Sequence, residues 1–275
     1  MLLERSMSDG FLTNTYLVAA GPGAPGFLID AGGPMAPLFD AAERESIDVT
    51  HVLLTHHHHD HVAALDEVKR RRPDVVVLAH PSEPIAAEPF EPLQVGGLAV
   101  DAIHTPGHTA GMLNFLVTER EERAEERAEE RAEGGAEGGA EARAEAGAEA
   151  RVQPRAVFTG DTLFKHSIGG VRARGSTSYA DLKASIMDRL MSLEHDTEVH
   201  PGHTEPTTIG HEWEHNAFIR VWRGLDPEGD EPVTAMGERA TLIVWGEDYD
   251  GGHKAWVRWP DGRDDIVAGS RVQRG

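Results

Sequence analysis

At 275 residues the chain is long enough to bury one or two cores. Its formal net charge of −21 has the wrong sign for gripping a phosphate backbone, so nucleic acid is not an expected partner. The absence of cysteine removes disulfides and thiolate metal ligands and fits a cytoplasmic setting. No apolar stretch approaches the roughly 20 residues of a membrane helix, and the start Met1-Leu2-Leu3-Glu4-Arg5 does not resemble a signal peptide, so no membrane partner is expected.

Residues 11–117 read as alternating short strands and helices. The pattern predicts strands at 15–20, 27–30, 52–54, 75–79, 98–103 and 112–117, with helices near 35–45 and 61–71, the second ended by Pro73. Residues 119–151 are a low-complexity tract of Glu-Glu-Arg-Ala repeats decaying into Ala-Glu-Gly-Gly. The tract has no apolar face with which to dock, so it is expected to be an exposed, partly helical insertion dispensable for chemistry. The pattern resumes with a strand at 156–159, a helix at 179–193, a strand at 197–200 and a helix at 211–220. An acidic stretch at 227–238 reads as a linker, closing a domain over 1–226. Residues 239–275 alternate like strands around the turn signals Asp250-Gly251 and Asp261-Gly262, which predicts a small antiparallel β unit.

The chemistry concentrates in Thr55-His56-His57-His58-His59-Asp60-His61, directly after the apolar Val52-Leu53-Leu54. A strand-to-helix loop at the carboxyl end of a strand is where open α/β sheets usually place their sites. In such a loop His56 and His58 can converge on one ion while Asp60 and His61 turn toward a second. A purification tag fits poorly, since the run is internal and interrupted by Asp60. Three further Gly-rich turns follow apolar runs: His104-Thr105-Pro106-Gly107-His108-Thr109, Phe158-Thr159-Gly160-Asp161-Thr162-Leu163-Phe164, and His200-Pro201-Gly202-His203-Thr204. Core packing does not explain an imidazole or carboxylate at each of these strand ends.

Together these segments resemble the metallo-β-lactamase superfamily of metal hydrolases, in order from about residue 11 to about residue 220. The resemblance implies an α+β fold, an αβ/βα sandwich of two mixed sheets with the site at one edge. It implies that His56, His58 and His108 hold one metal and that Asp60, His61 and His203 hold another, with Asp161 and a water bridging the two. Asp60 would also orient that water for attack. Asp30, in Gly26-Phe27-Leu28-Ile29-Asp30-Ala31-Gly32, matches the superfamily's first motif, where such a carboxylate orients ligands without binding metal; a turn-forming role competes. Imidazoles and carboxylates suit two divalent ions, zinc first, with iron or manganese next. His57 and His59 fall at variable places, and His104 and His200 read as structural.

Within the superfamily, Gly160-Asp161-Thr162-Leu163-Phe164 with Ser167-Ile168-Gly169 is similar to the glyoxalase II (hydroxyacylglutathione hydrolase) branch. So is His200-Pro201-Gly202-His203 with Thr207-Thr208-Ile209-Gly210 and Glu214-x-Asn216. That implies hydrolysis of a small-molecule thioester. The chain departs from the branch at Gly170-Val171-Arg172-Ala173-Arg174-Gly175, and a β unit stands where the longer enzymes carry a helical glutathione-binding tail. Lys165, Arg172 and Arg174 are candidates for an anionic substrate tail. A persulfide dioxygenase, with one iron on two His and one Asp, would not need Asp60, His61 and His203 together. A lactonase or β-lactamase would use the same ligands, and a non-catalytic metal scaffold would leave the full ligand set without a task. The oligomeric state is not encoded in these motifs.

Overall fold

The computed structural model describes residues 1–119 and 155–275. The expected insertion therefore lies outside the described residues, apart from Glu119 at the end of a strand. Strands β1 (Leu2–Met7), β2 (Asn14–Ala19), β3 (Pro25–Ile29), β4 (Asp48–Leu53), β5 (Val76–Ala79) and β6 (Glu88–Pro89) form one six-stranded sheet in that order. The second six-stranded sheet contains β7 (Leu93–Val95), β8 (Leu98–His104), β9 (Leu113–Glu119) and β10 (Arg155–Gly160). After the short hairpin β11 (Leu163–Phe164) and β12 (Ser167–Ile168), that sheet is completed by β13 (Glu198–Pro201) and β14 (Thr207–Thr208).

Alternation along the strands sorts side chains between layers. Tyr16, Val18, Phe27, Ile29 and Leu53 meet Val100, Phe115, Val117 and Phe158 between the two sheets. Residues of opposite parity, Leu17, Leu28 and Val52, pack on Leu38 and Phe39 of helix α1 (Ala36–Arg44) and on Val68. Beyond the second sheet, Val157 and Val199 pack on Leu182, Ile186 and Phe218. The result is the αβ/βα sandwich that the resemblance implies.

Strand direction places the site. β3, β4 and β5 run parallel, as do β10 and β13, while β8 reaches the same direction through two antiparallel steps across β9. The loops that follow β3, β4, β8, β10 and β13 meet at one edge of the sandwich.

Tertiary contacts reshape three of the predicted helices. The helix expected at 61–71 is split into α2 (His59–Val62) and α3 (Leu65–Arg71). Its first turn bonds instead to the loop after β3: Ala31 N–H donates to His61 O at 2.8 Å and Ala64 N–H to Ala31 O at 2.7 Å. Gly32 permits this approach, because a Cβ there would lie 1.5 Å from Asp60 O. The helix expected at 179–193 begins as α4 (Tyr179–Ala184), capped by Ser178, and continues as a π turn and a 3₁₀ turn. The helix expected at 211–220 breaks into α5 (Ile209–His215) and α6 (Ala217–Trp222). Asn216 leaves helical geometry there, and its Oδ1 caps the N–H groups of Phe218 and Ile219.

The predicted linker at 227–238 needs correction. It contains strand β15 (Glu231–Ala235), which pairs with β16 (Glu238–Glu247) across a turn in which both Met236 and Gly237 have positive φ, 50° and 86°. Such a turn matches the twist of a tight hairpin, but its Met-Gly pair is a weak signal inside an acidic, Pro-containing stretch. With β17 (His253–Arg258), β18 (Asp264–Ala268) and β19 (Val272–Arg274), these strands form a five-stranded sheet in the order β18-β17-β16-β15-β19. Leu242, Val257 and Trp259 contribute to a core on one face of this sheet. Ile243, Trp256 and Ile266 join the helix layer outside the second large sheet, so the C-terminal sheet shares a core with the sandwich. No helix among the described residues is long and apolar enough to cross a membrane.

Candidate metal centre

The edge loops bring together His56, His58, Asp60, His61, His108, Asp161 and His203. In each of the five histidines one ring nitrogen is bound away from the centre. His58 Nε2 donates to Arg174 O at 2.9 Å, His108 Nδ1 to Gly170 O at 2.9 Å, and His203 Nδ1 to Phe11 O at 2.9 Å. His61 Nδ1 donates to Asp30 Oδ2 at 2.8 Å. Thr55 Oγ1 gives its proton to Asp30, so at 3.0 Å it accepts from His56 Nδ1. These bonds fix the rings and turn a lone pair of each inward, as the outer partners of metal-binding histidines do.

The inward atoms form two groups. His56 Nε2 and His108 Nε2 lie 3.0 and 2.9 Å from His58 Nδ1. Three lone pairs thus converge, an arrangement that a cation relieves. Asp60, His61 and His203 form the second group. Asp161 stands between them, with Oδ2 3.3 Å from His108 Nε2 and Oδ1 3.2 and 3.3 Å from His61 Nε2 and His203 Nε2. Asp161 Oδ1 and His61 Nε2 are buried without a hydrogen-bond partner. Buried orphans of this kind call for an explanation, and a divalent ion held by nitrogen and oxygen donors fits both.

Burial and charge set the protonation of the cluster. Burial pushes His56 well below the usual imidazole range and His108 down to about 4. Burial alone would raise the Asp161 carboxyl, but His203, His61 and His108 outweigh it and hold the group well below the carboxylate range. For His61, burial is likewise outweighed by Asp161 and Asp30, and its affinity for a proton is raised. Protons and divalent ions compete for these same donors.

The other sequence candidates lie elsewhere. Asp30 is buried and faces Thr55 and His61, with no atom in either ligand group. His57 turns away, its N–H donating to Glu83 Oε2 at 2.9 Å and its ring hydrogen-bonding the same carboxylate. His104 stacks on His80 with ring centroids 4.4 Å apart, and His200 stacks on Phe158 at 5.0 Å. Arg172 borders the site but is paired with Asp265. Arg174 offers its carbonyl to His58. Lys165 does not line the cavity beside the metal ligands and exerts its charge on His211 instead.

Several site residues escaped the sequence analysis. Buried Glu83 accepts from His57, from Thr109 Oγ1 at 2.7 Å and from Gly111 N–H at 2.9 Å, tying two ligand loops together. Thr13 Oγ1 donates to Asp60 Oδ2 at 2.8 Å. Nothing nearby in sequence marks either residue. A cavity of about 610 Å³ opens on His108 and Asp161, walled by Phe164 and, from the C-terminal sheet and its turns, by Tyr249, Lys254 and Arg271. The Tyr249 ring stacks on His203, centroids 4.1 Å apart and planes 12° from parallel. Lys254 is held by Ile168 O at 2.7 Å and by Asp248 at 3.0 Å. Arg271 is exposed and has no ion-pair partner among the described residues.

Known proteins are similar to this chain in sequence or in fold. An uncharacterised protein of Mycobacterium tuberculosis is 30% identical over 236 residues, covering 75% of this chain and 92% of that protein. An atrochrysone carboxyl ACP thioesterase of Passalora fulva is 28% identical, covering 66% of this chain and 44% of that protein. A hydroxyacylglutathione hydrolase of Rhizobium meliloti is 29% identical, covering 75% and 63%. Among solved structures, the BLEG-1 B3 metallo-β-lactamase superposes with a TM-score of 0.59 at 24% identity, covering 79% of this chain and 99% of that one. ETHE1 from Myxococcus xanthus gives 0.58 at 21%, covering 82% and 92%. TTHA1623, in a di-iron-bound form, gives 0.54 at 28%, covering 78% and 98%. The sequence model of the metallo-β-lactamase superfamily matches residues 8–203, and the chain belongs to that superfamily.

Proposed function

We propose that this protein is a binuclear-metal hydrolase that cleaves a small thioester into a carboxylic acid and a thiol. The observation that carries this reading is the pair of ligand groups on either side of Asp161, whose two oxygens face different groups. A one-metal enzyme would need only one of them. His56, His58 and His108 would hold one ion and Asp60, His61 and His203 the other, with Asp161 shared. Zinc is the first choice, and iron or manganese suits the same nitrogen and oxygen donors. When bound, the ions supply Lewis acidity for the acyl carbonyl and a water whose pKa is lowered toward neutrality.

The chain's own residues would position the reaction. Asp60 keeps one oxygen on Thr13, leaving the other to orient the attacking water. Asp30 fixes the ring of His61, and the Arg174 and Gly170 carbonyls fix those of His58 and His108. Hydrolysis adds water across the acyl C–S bond, and the thiol departs with the proton. Thioesters are favoured over lactones and β-lactams by the similarity to a hydroxyacylglutathione hydrolase and an acyl-carrier thioesterase. For an anionic tail on the substrate, Arg271 is the available partner, since Arg172 is engaged by Asp265. A cysteine-free ligand set is compatible with work in the cytoplasm.

Elemental analysis combined with a thioester, lactone, β-lactam and persulfide panel tests the proposal. Two metals that depend on Asp161, with fastest turnover on thioesters, are the expected outcome. One iron with oxygen consumption would overturn it.

A further inference from the structure

A second cluster of imidazoles lies apart from the ligand loops. In helix α5, His211-Glu212-Trp213-Glu214-His215 sets two histidines four residues apart, one turn of helix. The turn between β11 and β12 brings a third, His166, against them. His166 Nε2 and His211 Nε2 are 2.7 Å apart, and the rings of His211 and His215 lie 4.7 Å apart. A pocket of about 450 Å³ is lined by these histidines and by Trp245 and Glu247 of β16.

We propose that His166, His211 and Glu212 form a third metal site, for a divalent transition ion of the zinc class, separate from the cluster around Asp161. The ligand atoms of these three residues all lie within 4.8 Å of one another. His166 Nδ1 faces Glu247 Oε2 at 3.3 Å, so the ring donates outward to a carboxylate and directs the Nε2 lone pair at His211. This is the carboxylate–histidine arrangement that prepares an imidazole for a metal. His166 is held there in a left-handed backbone conformation, φ 61°, which few side chains adopt. Two nitrogens around one tetrahedral zinc stand roughly 3.3 Å apart, so the ion fits after a small rotation of two partly exposed rings.

Glu212 defines the kind of site. Fully buried, it accepts from Thr207 Oγ1 at 2.8 Å, from His166 N–H at 2.9 Å and from Asn216 Nδ2 at 2.9 Å. A carboxylate has about four lone-pair positions, so one is left for an ion. Locked in this way, Glu212 cannot serve as the mobile general base that His-Glu-x-x-His helices supply in metallopeptidases. The site therefore binds metal without hydrolysing peptides. An ion there would pin the β11–β12 turn to α5, and Phe164 of that hairpin packs on His203 at 5.5 Å.

Zinc binding tests the site independently of any hydrolysis. The full-length protein and its His211→Ala and His166→Asn variants are equilibrated with micromolar Zn²⁺, gel-filtered and analysed for metal. Asn is chosen at position 166 because it tolerates positive φ. Each variant should carry one zinc fewer than the unsubstituted chain, with thioester turnover unchanged. Equal zinc content in all three proteins would overturn the proposal. In Asp161→Ala, one zinc sensitive to His211→Ala should persist; finding none would also overturn it.

Discussion

In the ligand loops each of the five inward-facing histidines, His56, His58, His61, His108 and His203, has one nitrogen bound to a carbonyl, a carboxylate or a hydroxyl, leaving the other a single direction. Across the same cavity, the wall from the C-terminal sheet offers a stacked ring, Tyr249, and a residue, Arg271, with no ion-pair partner among the described residues. The first region is preorganised, and its freedom was removed by hydrogen bonds within the fold. The second keeps polar capacity free for something that enters from solvent. Under the proposed function, the contrast separates holding the metals from choosing the substrate.

Four substitutions would break or sharpen that separation. Asp161→Ala should have the largest effect: metal lost from both groups and kcat/KM lowered about 10³-fold or more, since several kcal/mol of charge stabilisation depend on the ions. Elemental analysis beside steady-state kinetics would check this; metal retained in full would remove Asp161 from its bridging role. Gly202→Ala comes next, because an added Cβ would lie 2.5 Å from Asp161 Oδ1 and 2.8 Å from His61 Cε1. A displacement of that size should lower turnover about 100-fold and weaken metal retention during dialysis, with the circular dichroism spectrum preserved.

On the other side of the contrast, Arg271→Ala should raise KM about tenfold for an anionic thioester, the scale of one charged hydrogen bond, and leave kcat and metal content alone. If it strips metal instead, holding and choosing are not separate tasks here. His57→Ala should act least on chemistry. Metal content should match the unsubstituted chain while thermal denaturation reports a loss of about 1–3 kcal/mol from the partly abandoned Glu83. A fall in metal content would shift the ligand register by one residue.

Much of the His and Asp cluster was legible in the sequence because metal chemistry restricts residue types severely. Only a few side chains donate to a divalent ion, and His56, His58, Asp60, His61, His108, Asp161 and His203 all stand beside glycine, proline or strand-end signals. The strands were legible for a similar reason, since Leu17 and Val18 must alternate between two buried faces. Boundaries were harder where tertiary bonds replaced local ones, as where Ala31 divides the helix after His59 and where Asn216 caps a second helix inside the first. The strand at Glu231–Ala235 was missed because its pairing depends on a Met-Gly turn that carries little local signal.

The sequence by itself determined the family, the layered sandwich and which His and Asp side chains gather at its edge, because hydrophobic period and the residue types of a strand-end cluster are written in short stretches of chain. The cavity wall was decided only by the tertiary structure. Arg172, an apparent anion binder by sequence, is engaged by Asp265, 93 residues away, while Arg271, an ordinary cation near the end of the chain, lines the cavity without an ion-pair partner among the described residues. The tie of Glu83 to two loops and the meeting of His166 with His211 have the same origin. Charge pairing depends on distance in space, and between residues far apart in sequence only the folded chain sets that distance.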